Sequence, residues 1–311
     1  MPLLSIIIPA FNEEDNIAFI VDALKKDIGA ENIEHEIIFV DDGSSDLTFA
    51  KIKEQSQAAD HIHGYRLSRN FGKEAAMWAG LSKMRGDCCV VMDCDLQHPA
   101  EVVPKMYRLW QEGFEIVEGI KVRGKESIFY RLFSHLFYRL ISSLSGFDMR
   151  SSSDFKLLDK RVVNELLELK ERNAFFRGLS FWVGFRSANI EYHVGERKHS
   201  KSKWRFSGLL KYGLSNIIGF STAPLQLVTI IGVLLTIASV ILGIQTLVRF
   251  FMGHSLAGFP TVILLLLLIG GSLMISLGII GLYIAKIYDE VKNRPRFIIS
   301  ESTSTPNMDN E

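Results

Sequence analysis

Two long stretches without a single charged residue, 212–248 and 255–285, constrain this chain more than any other feature. An α-helix rises about 1.5 Å per residue, so roughly 20 apolar residues cross the hydrocarbon core of a bilayer. Each stretch is long enough, and a domain of this size has nowhere to bury two of them in succession. The pattern predicts transmembrane helices over residues 226–252 and 259–286. Their connection is too short to form a domain, so the two spans form a hairpin. Lys201, Lys203, Arg205 and Lys211 precede it, Lys286, Lys292, Arg294 and Arg296 follow it, and only Arg249 and His254 lie near its turn. The positive-inside rule then places both ends of the hairpin on the cytoplasmic side of the inner (plasma) membrane.

The remainder reads differently. Residues 1–203 mix charged and apolar positions as a water-facing domain does. No basic segment precedes the strand-like run at residues 3–8, so this domain is expected to stay in the cytoplasm. A net charge of zero argues against a nucleic-acid surface. The three cysteines, Cys88, Cys89 and Cys94, lie together in and beside an apolar run. That suits buried strand residues better than a disulfide framework or a zinc site. Residues 125–145 carry Phe129, Phe133, Phe137 and Ile141 at helical spacing, with Arg131, His135 and Arg139 on the other side. Such an amphipathic helix either faces a membrane or packs on its own sheet. Residues 204–222 read as a juxtamembrane interfacial helix and 287–311 as a polar cytoplasmic tail, disordered from residue 300 onward.

Within the first domain strands and helices alternate. Strands are predicted at residues 3–8, 36–40, 64–67 and 88–92, and helices at 13–28, 47–57 and 73–84. This order builds an α/β fold with a mostly parallel sheet, whose ligands bind beyond the carboxyl ends of the strands. Polar residues stand at three such ends: Asn12 and Glu13, Asp41 and Asp42, Asp93 and Asp95. Converging carboxylates are costly unless a cation or a donor-rich ligand meets them. Asp93, Asp95 and Gln97 place oxygen-bearing side chains at alternate positions, which suits Mg2+ or Mn2+. Arg123 and Arg131 flank the start of the aromatic helix, where they either hold a lipid phosphate or stay solvated.

Six segments, in order, resemble glycosyltransferase family 2, and within it the polyprenyl-phosphate branch of bacterial undecaprenyl-phosphate glucosyltransferases and dolichol-phosphate mannose synthases. Pro9-Ala10-Phe11-Asn12-Glu13-Glu14 resembles the opening nucleotide-binding motif, and Asp41-Asp42-Gly43-Ser44-Ser45-Asp46 the second. Asn70-Phe71-Gly72-Lys73 resembles the loop that approaches the nucleotide. Asp93-Cys94-Asp95-Leu96-Gln97-His98-Pro99 resembles the metal motif. Ser153-Asp154-Phe155-Lys156 matches the segment of the catalytic aspartate, and Arg197, Ser202 and Lys203 match a phosphate-contacting motif. Ser200 and Lys156 depart from the commoner Gly and Arg.

The resemblance implies a GT-A type, Rossmann-like sheet followed by the interfacial helix and the transmembrane hairpin. It implies inverting, metal-dependent transfer of a sugar from a UDP- or GDP-sugar to polyprenyl (undecaprenyl) phosphate. Glucose from UDP-glucose is expected by analogy; GDP-mannose, UDP-N-acetylglucosamine and an amino-arabinose donor stay open. Pro9, Phe11, Asn12, Glu13, Asp41, Asp42, Gly72, Lys73, Asp93, Arg197 and Lys203 would bind the donor. Asp93, Asp95 and Gln97 would hold Mg2+ or Mn2+; Arg123, Arg131 and Ser134 would grip the acceptor phosphate. Asp95 and Asp154 would be catalytic, Asp154 by orienting acceptor or sugar, with base catalysis secondary. A separate flippase would turn the product outward, and Gly270, Gly271 and Gly278 offer a face for homo-oligomers. Three rivals fit less well. A processive synthase would carry Gln-x-x-Arg-Trp and more spans, a dead scaffold would have lost site positions, and a transferase for soluble acceptors would need no hairpin.

Overall fold

The structure, a computed structural model, describes residues 2–95, 97–122, 153–169, 171, 175–193, 223–253 and 258–303. The chain divides into two units: Met1–Lys203 together with Arg294–Glu311, and Trp204–Asn293.

Among the described residues the first unit is built on an eight-stranded sheet. β1 (Leu4–Ala10) is buried at every position, as an apolar run at the centre of a covered sheet should be. It pairs in parallel with β2 (His35–Asp41) and β4 (Cys88–Val91), and β3 (Ile62–Leu67) continues the parallel block. β6 (Lys156–Asp159) runs against β4, while β5 (Ile116–Lys121) and β7 (Ser187–Tyr192) return to the first direction. β8 (Ile299–Ser302) runs against β3. The strands lie in the order β7-β5-β6-β4-β1-β2-β3-β8, and among those described only β6 and β8 oppose the others, which makes this a mixed, mostly parallel α/β sheet of the expected class.

Helices cover the sheet. α1 (Ile17–Gly29) buries Ile17, Ile20, Val21, Leu24 and Ile28, a 3.6-residue stripe contributing about 2 kcal/mol per side chain. α2 (Thr48–Ala58) follows β2, and α3 (Lys73–Leu81) is buried from Ala75 onward. A Cβ at Gly80 would stand 2.3 Å from Ile7 Cγ2, so α3 packs tightly onto the Ile7 side chain of β1. That contact fixes where the start of α3 meets the strand ends. α4 (Val103–Gln111), α5 (Lys160–Glu168) and α6 (Phe176–Trp182) complete the layer. Cys88, Cys89 and Cys94 are free and buried, and burial pushes all three thiols above their usual range.

One expectation is corrected at the sheet edge. Residues 300–303 are ordered: β8 pairs with β3, Thr303 N–H donates to Gly64 O (2.9 Å), and Gly64 N–H donates to Thr303 Oγ1 (2.8 Å). A lone isoleucine followed by Ser300, Glu301 and Ser302 carries too little alternation to announce a strand. An edge strand needs only one partner, and β3 supplies it.

In the second unit α7 (Ala223–Phe251) has 29 residues and α8 (Phe259–Val291) has 33. At about 1.5 Å per residue both exceed the roughly 30 Å of a hydrocarbon core. Both are long and apolar enough to cross a membrane, and their apolar windows, Val228–Thr246 and Leu268–Val291, have no buried share. Hydroxyls inside them bond back along the helix: Thr236 Oγ1 donates to Gly232 O (2.9 Å) and Ser276 Oγ to Ser272 O (2.8 Å). Polar groups without water must be satisfied in this way. α8 runs five residues past the predicted end at 286, through Asp289 and Glu290. The predicted interfacial helices at 125–145 and 204–222 lie outside the described residues.

Candidate active site

The carboxyl ends of β1, β2 and β4 open onto a cavity of about 290 Å3. Its walls include Pro9 at the end of β1, Phe11 and Glu13 after it, Asp42 after β2, Asn70, Gly72 and Lys73 before and at α3, and Asp93 and Asp95 after β4. Two loops are laced together beneath it. Asn12, at φ +54°, donates from its N–H to Ser44 Oγ (2.9 Å) and accepts from Ser45 N–H (3.0 Å) at Oδ1. Glu13 N–H donates to Thr48 Oγ1 (2.9 Å). Adjacent acids after β2 take opposite tasks. Asp41 is fully buried, accepts from Ser44 N–H (3.0 Å), and faces Arg66 Nε at 3.3 Å. Asp42 accepts from Phe71 N–H (2.7 Å) and Gly72 N–H (2.9 Å), which holds the loop before α3 at the cleft. Burial pushes the Asp42 carboxyl up, against those two amides.

Lys73, the first residue of α3, joins the acids across the cavity. Its Nζ lies 2.6 Å from Asp93 Oδ1 and 2.8 Å from Asp154 Oδ2. Burial opposes the ammonium, but the two carboxylates outweigh it and hold Lys73 above its usual range. Asp154 also receives a two-pronged clamp: Arg177 Nε donates to Oδ1 (2.7 Å) and Nη2 to Oδ2 (2.8 Å). Burial would raise the Asp154 carboxyl; the Arg177 hydrogen bonds and the Lys73 charge hold it well below the usual range. Planar guanidinium and carboxylate match in this geometry, so the aspartate is fixed in orientation as well as charge.

The segment that follows β4 folds back on itself. Asp95 accepts from Gln97 N–H (3.1 Å) at one oxygen and from the Gln97 amide at the other. Asp93 N–H donates to His98 Nδ1 (2.9 Å), which places the ring proton on Nε2. Burial lowers the His98 pKa, and the ring stacks on Phe155 at 4.7 Å. The segment after β4 is thereby tied to the residue beside Asp154. Among the described residues no three His, Cys, Asp or Glu side chains gather as a ready metal site. The donor chemistry nevertheless fits a hard divalent cation: the carboxylates of Asp93 and Asp95 line the cavity wall, and the Gln97 side chain is hydrogen-bonded to Asp95.

Glu74 is a further acid at this corner. Its Oε2 accepts from Phe176 N–H (2.9 Å), and burial, aided by the Asp154 charge, pushes its pKa up to about 7. A carboxyl raised from 4.5 adds stability that is complete below its unfolded value and lost as pH climbs through about 7. Glu74→Gln is therefore expected to stabilise the protein by about 3 kcal/mol at pH 8 and hardly at all at pH 4.5. Urea midpoints of both proteins at the two pH values test this; an equal shift at both would refute it.

The structure brings Pro9, Phe11, Glu13, Asp42, Gly72, Lys73, Asp93 and Asp95 to one cavity, with Asp154 joined through Lys73. Asn12 and Gln97 brace the walls, and Asp41 points away toward Arg66. Arg123, Arg131, Ser134, Arg197 and Lys203 lie outside the described residues. Arg177, Glu74 and His98 took no role in the sequence reading. Only His98 had a signal, its place between Gln97 and Pro99.

The model of Glycosyl transferase family 2 matches residues 5–187, from β1 to the start of β7. The putative glycosyltransferase CsbB of Bacillus subtilis (strain 168) is 39% identical over 99% of this chain and 94% of its own length. The SfII prophage-derived bactoprenol glucosyl transferase of Shigella flexneri is 35% identical over 96% of this chain and 98% of its own. Among solved structures, a glucosyl-3-phosphoglycerate synthase from Mycobacterium tuberculosis with Mn2+, uridine diphosphate and phosphoglyceric acid aligns with 70% of this chain and 76% of that one, at 19% identity and TM-score 0.48.

Proposed function

We propose that this chain, which belongs to glycosyl transferase family 2, moves a sugar from a nucleotide-sugar onto a polyprenyl phosphate at a membrane surface. The observation that carries the reading is a pairing within one chain. A cleft lined by Asp42, Lys73, Asp93 and Asp95 occurs together with two helices apolar enough to cross a bilayer. Similarity to the bactoprenol glucosyl transferase runs through both parts, since it covers 96% of this chain. UDP-glucose and undecaprenyl phosphate are the substrates we favour. The spans would place the transferase domain and both termini in the cytoplasm. A flippase and self-association through the helices remain part of the proposal.

In this mechanism an oxygen of the lipid phosphate attacks the anomeric carbon, a carbon–oxygen bond forms, and the bond to the nucleoside diphosphate breaks. The diphosphate leaves with the electron pair, and configuration inverts. A phosphate monoester has a second pKa of about 6 and is mostly dianionic at neutral pH, so a strong base is dispensable. Asp154 suits an orienting role, because Lys73 and Arg177 already occupy both its oxygens. Asp42 holds the Phe71–Gly72 amides at the cleft, beside the opening turn of α3, where developing negative charge is favoured. Asp93, Asp95 and Gln97 would hold Mg2+ or Mn2+, which would neutralise diphosphate charge. Arg197 and Lys203 would add to that neutralisation, and Arg123, Arg131 and Ser134 would bind the acceptor phosphate.

The test is transfer by purified protein in detergent. It is given undecaprenyl phosphate, Mg2+ or Mn2+, and labelled UDP- and GDP-sugars in turn. One donor is expected to label the lipid phase, and Asp95→Ala to lower that rate at least about 100-fold. Metal-dependent nucleotide binding without lipid labelling from any donor would reject the polyprenyl acceptor.

A further inference from the structure

We propose that the buried Lys156 is a positioning residue: it stations helix α6 so that Arg177 meets Asp154. The inference deepens the reading of Asp154 given above and rests on it.

α6 has only seven residues, far too few to hold a helical form or a fixed place unaided. Its position must come from tertiary ties. Glu74 Oε2 accepts the N–H of Phe176 at one end. In the body of the helix Lys156 Nζ donates to Ser180 Oγ (2.6 Å), and that hydroxyl donates to the backbone oxygen of Arg177 (3.1 Å). The chain of contacts thus runs from Lys156 to the residue that clamps Asp154.

The energetics single out Lys156. It is 0% exposed, its Nζ pairs with Glu118 Oε1 at 3.0 Å, and it lies 5.4 Å from the Phe176 ring centroid. A buried ion pair returns less than it costs in desolvation when compared with apolar side chains of similar volume. As mere packing, this is a poor choice; as a directional tie to Ser180 it has a use an apolar side chain lacks. The covalent layout fits. Asp154 and Lys156 are two residues apart on the segment entering β6, and both reach α6. One stretch of backbone carries the carboxylate and also the anchor of the helix that grips it. A shift of α6 against the sheet is therefore resisted from the same point that Arg177 must find.

The experiment uses the full chain in detergent and compares wild type, Lys156→Met, and Lys156→Met with Glu118→Gln. Three properties are measured: the denaturation midpoint, kcat with donor KM, and hydrogen exchange over residues 176–182. The single variant strands the Glu118 carboxylate and is expected to lose stability. The double variant removes that charge and is expected to regain most of the midpoint. Its kcat should stay at least about tenfold low with donor KM unchanged, since misplacement on the order of 1 Å costs that much or more. Exchange over α6 should be faster than in wild type while the sheet is unaffected. A folded double variant with wild-type kcat and wild-type exchange would overturn the proposal. Should the wild type transfer no sugar, the assigned reaction fails by itself, and exchange over α6 still decides whether Lys156 positions the helix.

Discussion

Asp154→Asn is expected to lower sugar transfer at least about 100-fold while nucleotide binding stays near wild type. The carboxylate makes three charged contacts, with Arg177 at 2.7 and 2.8 Å and Lys73 at 2.8 Å. Asparagine keeps the shape but loses the charge and one acceptor, so Arg177 and Lys73 are no longer drawn to a common point. The fold should survive, because the side chains of Lys73 and Arg177 are 41% and 38% exposed and water can replace part of the lost interaction. Asp154 has its folded pKa depressed, so its contribution to stability is present above the ordinary 3.8 and is lost as pH falls through the lower folded value. In the variant the Asp154 charge no longer helps raise Glu74, so the stability difference between the two proteins should narrow as pH climbs through about 7. Turnover and titration with a nucleoside diphosphate check the claim, and a variant with near-normal turnover would remove Asp154 from the mechanism.

Gly43→Ala should be the most damaging of the conservative changes to the fold. Gly43 sits at φ +69°, where a Cβ is strained, and that Cβ would lie 2.6 Å from Arg69 C and 2.8 Å from Asn70 N. Backbone cannot yield as a side-chain tip does, so strain and overlap add to about 3 kcal/mol. The displaced segment leads directly into Phe71 and Gly72, whose amides Asp42 holds at the cleft. Donor affinity should fall together with stability, by about tenfold if the loop moves on the order of 1 Å. Denaturant midpoints and donor titration measure the two effects. A loss under about 1 kcal/mol would mean that the 69–72 loop relaxes freely and is not rigid.

These two cases mark how far the sequence could be read. The parallel block was legible because β1, β2 and β4 are short apolar runs, ending at Ala10, Asp41 and Val91. The meeting of three acidic strand ends followed from topology alone. What adjacency hides is which acid serves the cleft. Neighbours on a strand point to opposite sides, so Asp41 turns in to Arg66 while Asp42 turns out, and nothing in Asp41-Asp42 distinguishes them in advance. Arg177 was missed for another reason. It stands among Phe175, Phe176 and Leu179, a context that reads as core, and its partner is 23 residues away. Glu74 looks like an ordinary acid in the first turn of a helix until Asp154 and α6 close over it. β8 escaped notice because an edge strand needs so little sequence of its own.

That last strand sets the timing of assembly. Glu301 reaches Arg66 across 235 residues of chain, and both apolar helices are synthesised in the interval. While the ribosome is still producing α7 and α8, β3 must wait with an unpaired edge, the kind of exposed edge that invites misassociation. Closing it also delivers Glu301 to the guanidinium that faces Asp41, and so to the turn holding Ser44. The hairpin is therefore an insertion within a domain, and a nascent chain interrupted before Ile299 would retain the cleft residues yet lack the bracing behind them.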